Sequence, residues 1–244
     1  MGPGLRGEAQ RAMAVAQDTL DLLMAAGVPA ISQTLFGLGI MNAFIPGLSP
    51  ANPQTCAFAG PACTLRAIPM REDIRAAIAE GRLPNPHRQA LAGVKAGEVI
   101  VTDIGDIPRI SLFGDLIGTH LANRGIAAIV TDGGVADLAA LAAVPLPVFS
   151  AGSAPVPASG RVVVVDIRLP ISCRGVPVYD GDIVVGDRAG VVVVPADLAE
   201  SVARKAMEKE KLEAFLLERL QAGAPLEGTY PPDADTLAAY RARG

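Results

Sequence analysis

The chain has 244 residues, enough for one large domain or two small ones with a sizeable buried core. Half of it is hydrophobic, mostly Ala and Val with only 4% aromatics and no Trp, which suits close-packed helices on a buried sheet. A formal charge of −4, from 21 basic and 25 acidic residues, leaves no basic footprint for nucleic acid, and no apolar run approaches the roughly 20 residues of a membrane span.

The opening "MGPGLRGEAQRAMAVAQDTL" lacks a basic segment followed by an apolar one, so no secretory leader is read and a cytoplasmic location is expected. Three cysteines, Cys56, Cys63 and Cys173, have no metal-type spacing and read as thiols. Residues 8–25 predict an amphipathic helix stopping at Gly27, followed by a short helix over 31–38. Gly and Pro punctuate 37–62, which reads as loop with one short strand. "CTLRAIPM" (63–70) reads as a strand, and 71–94 as two short helices broken by "GRLPNP". From there strand and helix alternate: "EVIVTDI", then "GDLIGTHLANRG" ending at Gly125, then "IAAIVTD", then "VADLAALAA", then "PVFSA". Such alternation implies parallel pairing with both sheet faces covered. After Gly160 short Val-rich strands separated by Gly-Asp turns predict antiparallel hairpins. A long charged helix and a short terminal helix close the chain. The reading is a single mixed α/β domain over 1–244, with a helical N-terminal extension 1–30, a core 31–195, and a C-terminal helix and tail 196–244.

Two carboxylates stand at helix starts. Asp115 follows Gly114, and Asp137 falls in the first turn of "VADLAALAA". A helix N-terminus offers free N–H groups and a favourable dipole, and open α/β sheets place ligands at the carboxyl ends of their strands. Two carboxylates there suit a hard divalent ion whose shell is otherwise water or substrate; they equally suit plain helix caps. Asp132, following a buried strand and preceding Gly133-Gly134, reads as bonding the turn's amides. Asp182 and Asp187 belong to hairpin turns. "GLGIMN" is a weak half-match to a dinucleotide fingerprint, lacking the third Gly and the preceding strand.

"GDLIGTHLANRGIAAIVTDGGVADL", "LPVFSAG" and "VYDGDIVVGDRAGVVVVP" resemble the RraA-like family over roughly 60–195. The family includes class II pyruvate aldolases acting on 4-hydroxy-4-methyl-2-oxoglutarate and 4-carboxy-4-hydroxy-2-oxoadipate, and the regulator of RNase E activity. The resemblance implies a swivelling β/β/α fold, trimers or hexamers with the site between subunits, and a small 2-oxo acid as partner. It also implies a Mg²⁺ or Mn²⁺ Lewis acid for retro-aldol release of pyruvate, with oxaloacetate decarboxylation alongside. By the family's spacing Asp137 matches the direct metal ligand and Asp115 the carboxylate that holds a water of the metal's shell. The Gly114 turn with the amides of Leu116 and Ile117 matches the seat of the pyruvyl carboxylate. The family's arginine falls on Ala136, and Gln33 stands where relatives often have Asp. A missing preorganised cation costs roughly 10²–10³ in rate, so a weakened or substrate-shifted lyase is expected, or a non-catalytic regulator.

Arg109, in "DIPRISLFGD", is the first candidate for a replacement cation, with Arg71 or Arg88 of a neighbouring subunit as others. Arg124 sits ~13 Å along the helix from Asp115 and reads as a helix C-terminal cation. His120 points away from Asp115 and reads as a core or interface residue, and His87 as a surface residue at a helix start.

Overall fold

The computed structural model describes residues 15–105, 107 and 109–243. The predicted helix over 8–25 lies outside them as far as residue 14. In chain order the elements are α1 (Gln17–Gly37), β1 (Phe44–Ile45), β2 (Ser49–Pro50), β3 (Phe58–Pro69), α2 (Glu72–Ala79), α3 (Pro86–Ala92), β4 (Val99–Asp103), β5 (Ser111–Phe113) and α4 (Asp115–Asn123). There follow β6 (Ala128–Thr131), β7 (Gly134–Val135), α5 (Leu138–Leu141), β8 (Val148–Ser150), β9 (Val162–Ile167), β10 (Ile171–Cys173), β11 (Val176–Val178), β12 (Ile183–Asp187), β13 (Gly190–Val194), α6 (Ala199–Gln221) and α7 (Ala234–Arg241). This is the mixed α/β architecture expected.

The main sheet runs β1-β13-β12-β3-β4-β6-β8-β2, with β9 also on β3. β3, β4, β6 and β8 pair in parallel, as strand–helix alternation requires. β3 extends five residues further back than the sequence suggests, and joins two regimes: its first half pairs antiparallel with β12, its second half antiparallel with β9. Gly60 makes this possible, since a Cβ there would stand 2.5 Å from the Gly97 carbonyl oxygen. The Val-rich hairpins β10–β11 and β12–β13 form as predicted.

α1 is two helices meeting at Gly27, whose φ of 77° belongs to the left-handed region. Asp187, at the end of β12, accepts from the Val28 amide at 2.8 Å and from Ala189 at 2.7 Å, so one turn carboxylate fixes both the kink and the hairpin. By length and composition the 21 residues of α1 are apolar enough to cross a membrane, which the sequence reading did not recognise. In the fold Leu20, Leu23, Ile31 and Leu35 are buried in the cluster shared with β12, β13 and α6. A separate cluster lies under α3, α4 and α5, and the third fills the sheet's other face beneath β10 and β11. Cys56, Cys63 and Cys173 are buried, and burial pushes the Cys63 thiol up to about 12.

Candidate functional site

The site is built on a small parallel pair, β5 and β7, and not on the main sheet whose strand ends the sequence pointed to. Ser111 lies opposite Gly134 and Phe113 opposite Val135, and the Ala136 amide donates to the Phe113 carbonyl at 2.9 Å. Each strand ends in a glycine- or alanine-led helix start, so the pairing brings the two loops together. A Cβ on Gly114 would lie 3.5 Å from the Ala136 Cβ and 3.5 Å from Asp137 Oδ2. The Asp137 carboxylate thus lies beside Gly114 at the start of α4.

Asp137 is not inside the first turn of α5 but is its N-cap residue, with φ 50° and ψ 42°. A left-handed non-glycine residue costs of order 1 kcal/mol, least for Asp or Asn. The usual return for such a cap is a side-chain bond to the helix amides, yet Asp137 makes none and its side chain is exposed. α5 is a single turn of four residues, too short for the nine-residue helix expected.

Asp115 is half-buried in the first turn of α4, and its Oδ1 accepts from the Leu116 amide at 2.7 Å. In this structure the Leu116 amide, which the resemblance assigned to a substrate carboxylate, donates to Asp115. The first intrahelical bond of α4 closes from Gly118 to Gly114, so the Ile117 amide still precedes the ladder. Ile117 packs on the core, whereas Leu116 is 82% exposed beside the site.

Several other residues are settled by their partners. Asp132 is fully buried and accepts the Ile104 amide at 2.9 Å on both oxygens, with the Thr102–Thr131 hydroxyl pair alongside; it is structural, as expected. Arg124 caps carbonyls, but of α3 and the turn after it: Leu91 at 2.6 Å, Ala92 at 3.2 Å and Val94 at 2.5 Å. Arg109 is exposed two residues before β5 and, among the described residues, makes no ion pair with Asp115 or Asp137. Arg71 is held by Asp73 at 2.6 Å, and Arg88 is exposed. His120 is exposed, which excludes a place in the protomer's core. His87 is not the surface residue expected: its Nε2 is buried, its ring packs edge-on to Phe113 at 5.9 Å, and burial lowers its pKa.

Among the described residues no three His, Cys, Asp or Glu side chains converge. The two carboxylates nonetheless fit a Mg²⁺-like ion, which is commonly held by one or two carboxylates plus water and substrate oxygens.

The family model described as RraA-like, Aldolase/RraA, matches residues 28–193, two thirds of the chain and all of this site. The chain belongs to the RraA-like family. A Halalkalibacterium halodurans protein named "Putative 4-hydroxy-4-methyl-2-oxoglutarate aldolase" is 38% identical to this RraA-like chain over 123 residues, 50% of the chain and 58% of the relative. A protein of the same name from Albidiferax ferrireducens is 32% identical over 141 residues, 58% of the chain and 78% of the relative. Protein DlpA of Legionella pneumophila is 28% identical over 81% of the chain but only 31% of its own length. The matches thus span between about a third and four fifths of these relatives. Among solved structures, an uncharacterized protein from Pseudomonas syringae pv. tomato superposes with a TM-score of 0.78 at 26% identity, covering 91% of this chain and 97% of that one. Streptomyces coelicolor RraAS2, described as an unusual member of the RNase ES inhibitor RraA family, gives 0.73 at 25% identity over 83% and 96%.

Proposed function

We propose that Asp115 and Asp137 hold a divalent cation, Mg²⁺ or Mn²⁺, at a site that cleaves a 4-hydroxy-2-oxo acid to pyruvate, with oxaloacetate decarboxylation as a companion activity. The observation that carries the proposal is Asp137 itself. It bears left-handed backbone strain, forms no cap bond, and holds an oxygen 3.5 Å from where a Cβ on Gly114 would stand, Gly114 lying 23 residues before it and one before Asp115. Helix capping explains none of this, whereas a ligand role does. The aldolase names of the relatives support the reaction class.

When bound, the cation supplies Lewis-acid polarisation of the 2-oxo group. The chain's own groups do the rest. Asp137 holds the ion, and Asp115, fixed through Oδ1 by the Leu116 amide, offers its other oxygen to the 4-hydroxyl proton directly or through one water. As that proton leaves, its O–H electron pair closes the C4 carbonyl of the second product, the C3–C4 bond breaks with its pair forming a C2–C3 double bond while the carbonyl π pair moves onto the 2-oxo oxygen, and return of the proton to C3 gives pyruvate. The Ile117 amide, ahead of the helical ladder, donates to the substrate carboxylate. The exposed Leu116 and Arg109 favour completion by a neighbouring subunit of a trimer or hexamer, with Arg109, six residues before Asp115 and unlike Arg124 not engaged on carbonyls, as the cation to replace the family's arginine.

Ala136 sets the rate. Without a guanidinium on the developing charge, cleavage is weaker by roughly 10²–10³ than in an arginine-bearing relative. Pyruvate release from 4-hydroxy-4-methyl-2-oxoglutarate and from oxaloacetate, with Mn²⁺ and with EDTA, tests the reading. Metal-dependent release absent from Asp137→Ala is expected, and no release from either substrate removes the aldolase. Ala136→Arg raises the rate by about 10² if the substrate is the family's, and lowers it if the pocket has been refitted to another. Ala136, with the likeness to RraAS2, also favours a second reading: a binding regulator without turnover, for which both assays stay silent.

A further inference from the structure

From Ile110 to Gly160, the stretch that builds β5, α4, β7 and α5, the chain has a single Lys or Arg, Arg124, against three carboxylates, Asp115, Asp132 and Asp137. Arg124 is engaged on the carbonyls of Leu91, Ala92 and Val94, and Asp132 on the Ile104 amide. Asp115 and Asp137 are left to the site, and among the described residues neither carries an ion pair. The side chains beside them are apolar. Ala136 precedes Asp137, with its Cβ 3.5 Å from where a Cβ on Gly114 would stand. Leu116 follows Asp115 and is 82% exposed, and Ala139 and Ala140 of α5 are exposed as well.

Together with the lyase reading, on which the inference rests, this charge pattern restricts what C4 of the substrate can carry. Asp115 takes the 4-hydroxyl proton, so an oxygen of any group on C4 lies within about 5 Å of that carboxylate. A second substrate carboxylate there meets Asp115 as a like charge, and Arg109 is already assigned to the charge developing at the 2-oxo oxygen. At ~5 Å and an effective dielectric near 20 such a repulsion is worth roughly a hundredfold, which a divalent ion beside Asp137 offsets in part. An alkyl group at the same place has no such cost and covers Leu116 and Ala136, at about fourfold per buried methylene. We propose that the site takes 4-hydroxy-2-oxo monocarboxylic acids with an alkyl group on C4, so that the second product is an uncharged aldehyde or ketone and not another oxo acid. The step balances without a co-reactant: the 4-hydroxyl oxygen becomes the carbonyl oxygen of that product, and its proton ends on C3 of pyruvate.

Acids without the 4-hydroxyl chelate but cannot be cleaved, so the preference is read by binding alone. The full chain with Mn²⁺ is titrated in a calorimeter with 2-oxopentanoate, 4-methyl-2-oxopentanoate and 2-oxoglutarate. 2-Oxopentanoate and 2-oxoglutarate have the same chain length and differ only in the charge at C5. The first is expected to bind about tenfold more tightly or better, and 4-methyl-2-oxopentanoate a few-fold more tightly again. Leu116→Lys, at an exposed side chain, narrows or reverses the ratio, whereas Leu116→Gln keeps the monoacid ahead. In pyruvate release, 4-hydroxy-2-oxopentanoate has the higher kcat/KM against 4-hydroxy-2-oxoglutarate. Equal or tighter binding of 2-oxoglutarate overturns the proposal and leaves the lyase reading standing. An unchanged ratio in Leu116→Lys also overturns it, by placing the C4 substituent elsewhere. No binding of any of the acids removes the lyase reading and the proposal together.

Discussion

At Asp137 the side chain and the backbone make opposite demands, and that opposition can be measured. Glycine relieves the left-handed strain at φ 50° but loses more entropy on folding, so Asp137→Gly changes stability by no more than about 1 kcal/mol, read as thermal unfolding. A loss of more than about 1 kcal/mol on that change would mean that the Asp137 side chain supports the fold and not a ligand. His87 makes a second residue-scale prediction. Its folded pKa lies below the ordinary value near 6.5 because burial penalises the imidazolium. The unfolded chain therefore binds the extra proton first, and stability falls as pH drops below about 6.5 toward the folded pKa. His87→Gln removes that portion of the acid sensitivity, which unfolding in urea at a series of pH values between 7 and 5 would reveal. A variant with the unchanged pH profile would show that His87 is solvated.

Among the elements, those with strong periodicity were legible in the sequence and those held by tertiary pairing were not. The break at Gly27, the paired short helices around "GRLPNP", the α4 stop at Gly125 and the Val-rich hairpins all have local causes: a left-handed glycine, a proline-bearing turn, alternation of buried valines. β5 and β7 have no such signature. They are three and two residues long, held by each other and by the 152–157 segment, through bonds such as Ser111 N to Val156 O at 2.9 Å. For that reason the two aspartates could be paired from the sequence only by resemblance, and their carrier strands were missed. The kink in α1 gives an element-scale prediction. Asp187 bridges it to the β12–β13 hairpin, so Asp187→Ala leaves a part-buried amide unsatisfied and costs about 1–2 kcal/mol in chemical unfolding. A cost near zero would mean that Gly27 and Pro29 hold the bend unaided.

For the molecule as a whole, one sheet combines a parallel half with an antiparallel half through β3, and the RraA-like match covers both. The site lies on the separate β5–β7 pair and offers two carboxylates, helix-start amides and an exposed Leu116, with no ion-paired cation on either carboxylate among the described residues. The claim on which the whole account turns is that Asp137 is a metal ligand. Its most direct test is a Mn²⁺ titration followed by electron paramagnetic resonance, on the native chain and on Asp137→Gly with its thermal unfolding recorded in parallel. The account predicts saturable binding to the native chain and its loss in a variant that remains folded. Equal binding by both, or none by the native chain, would contradict it.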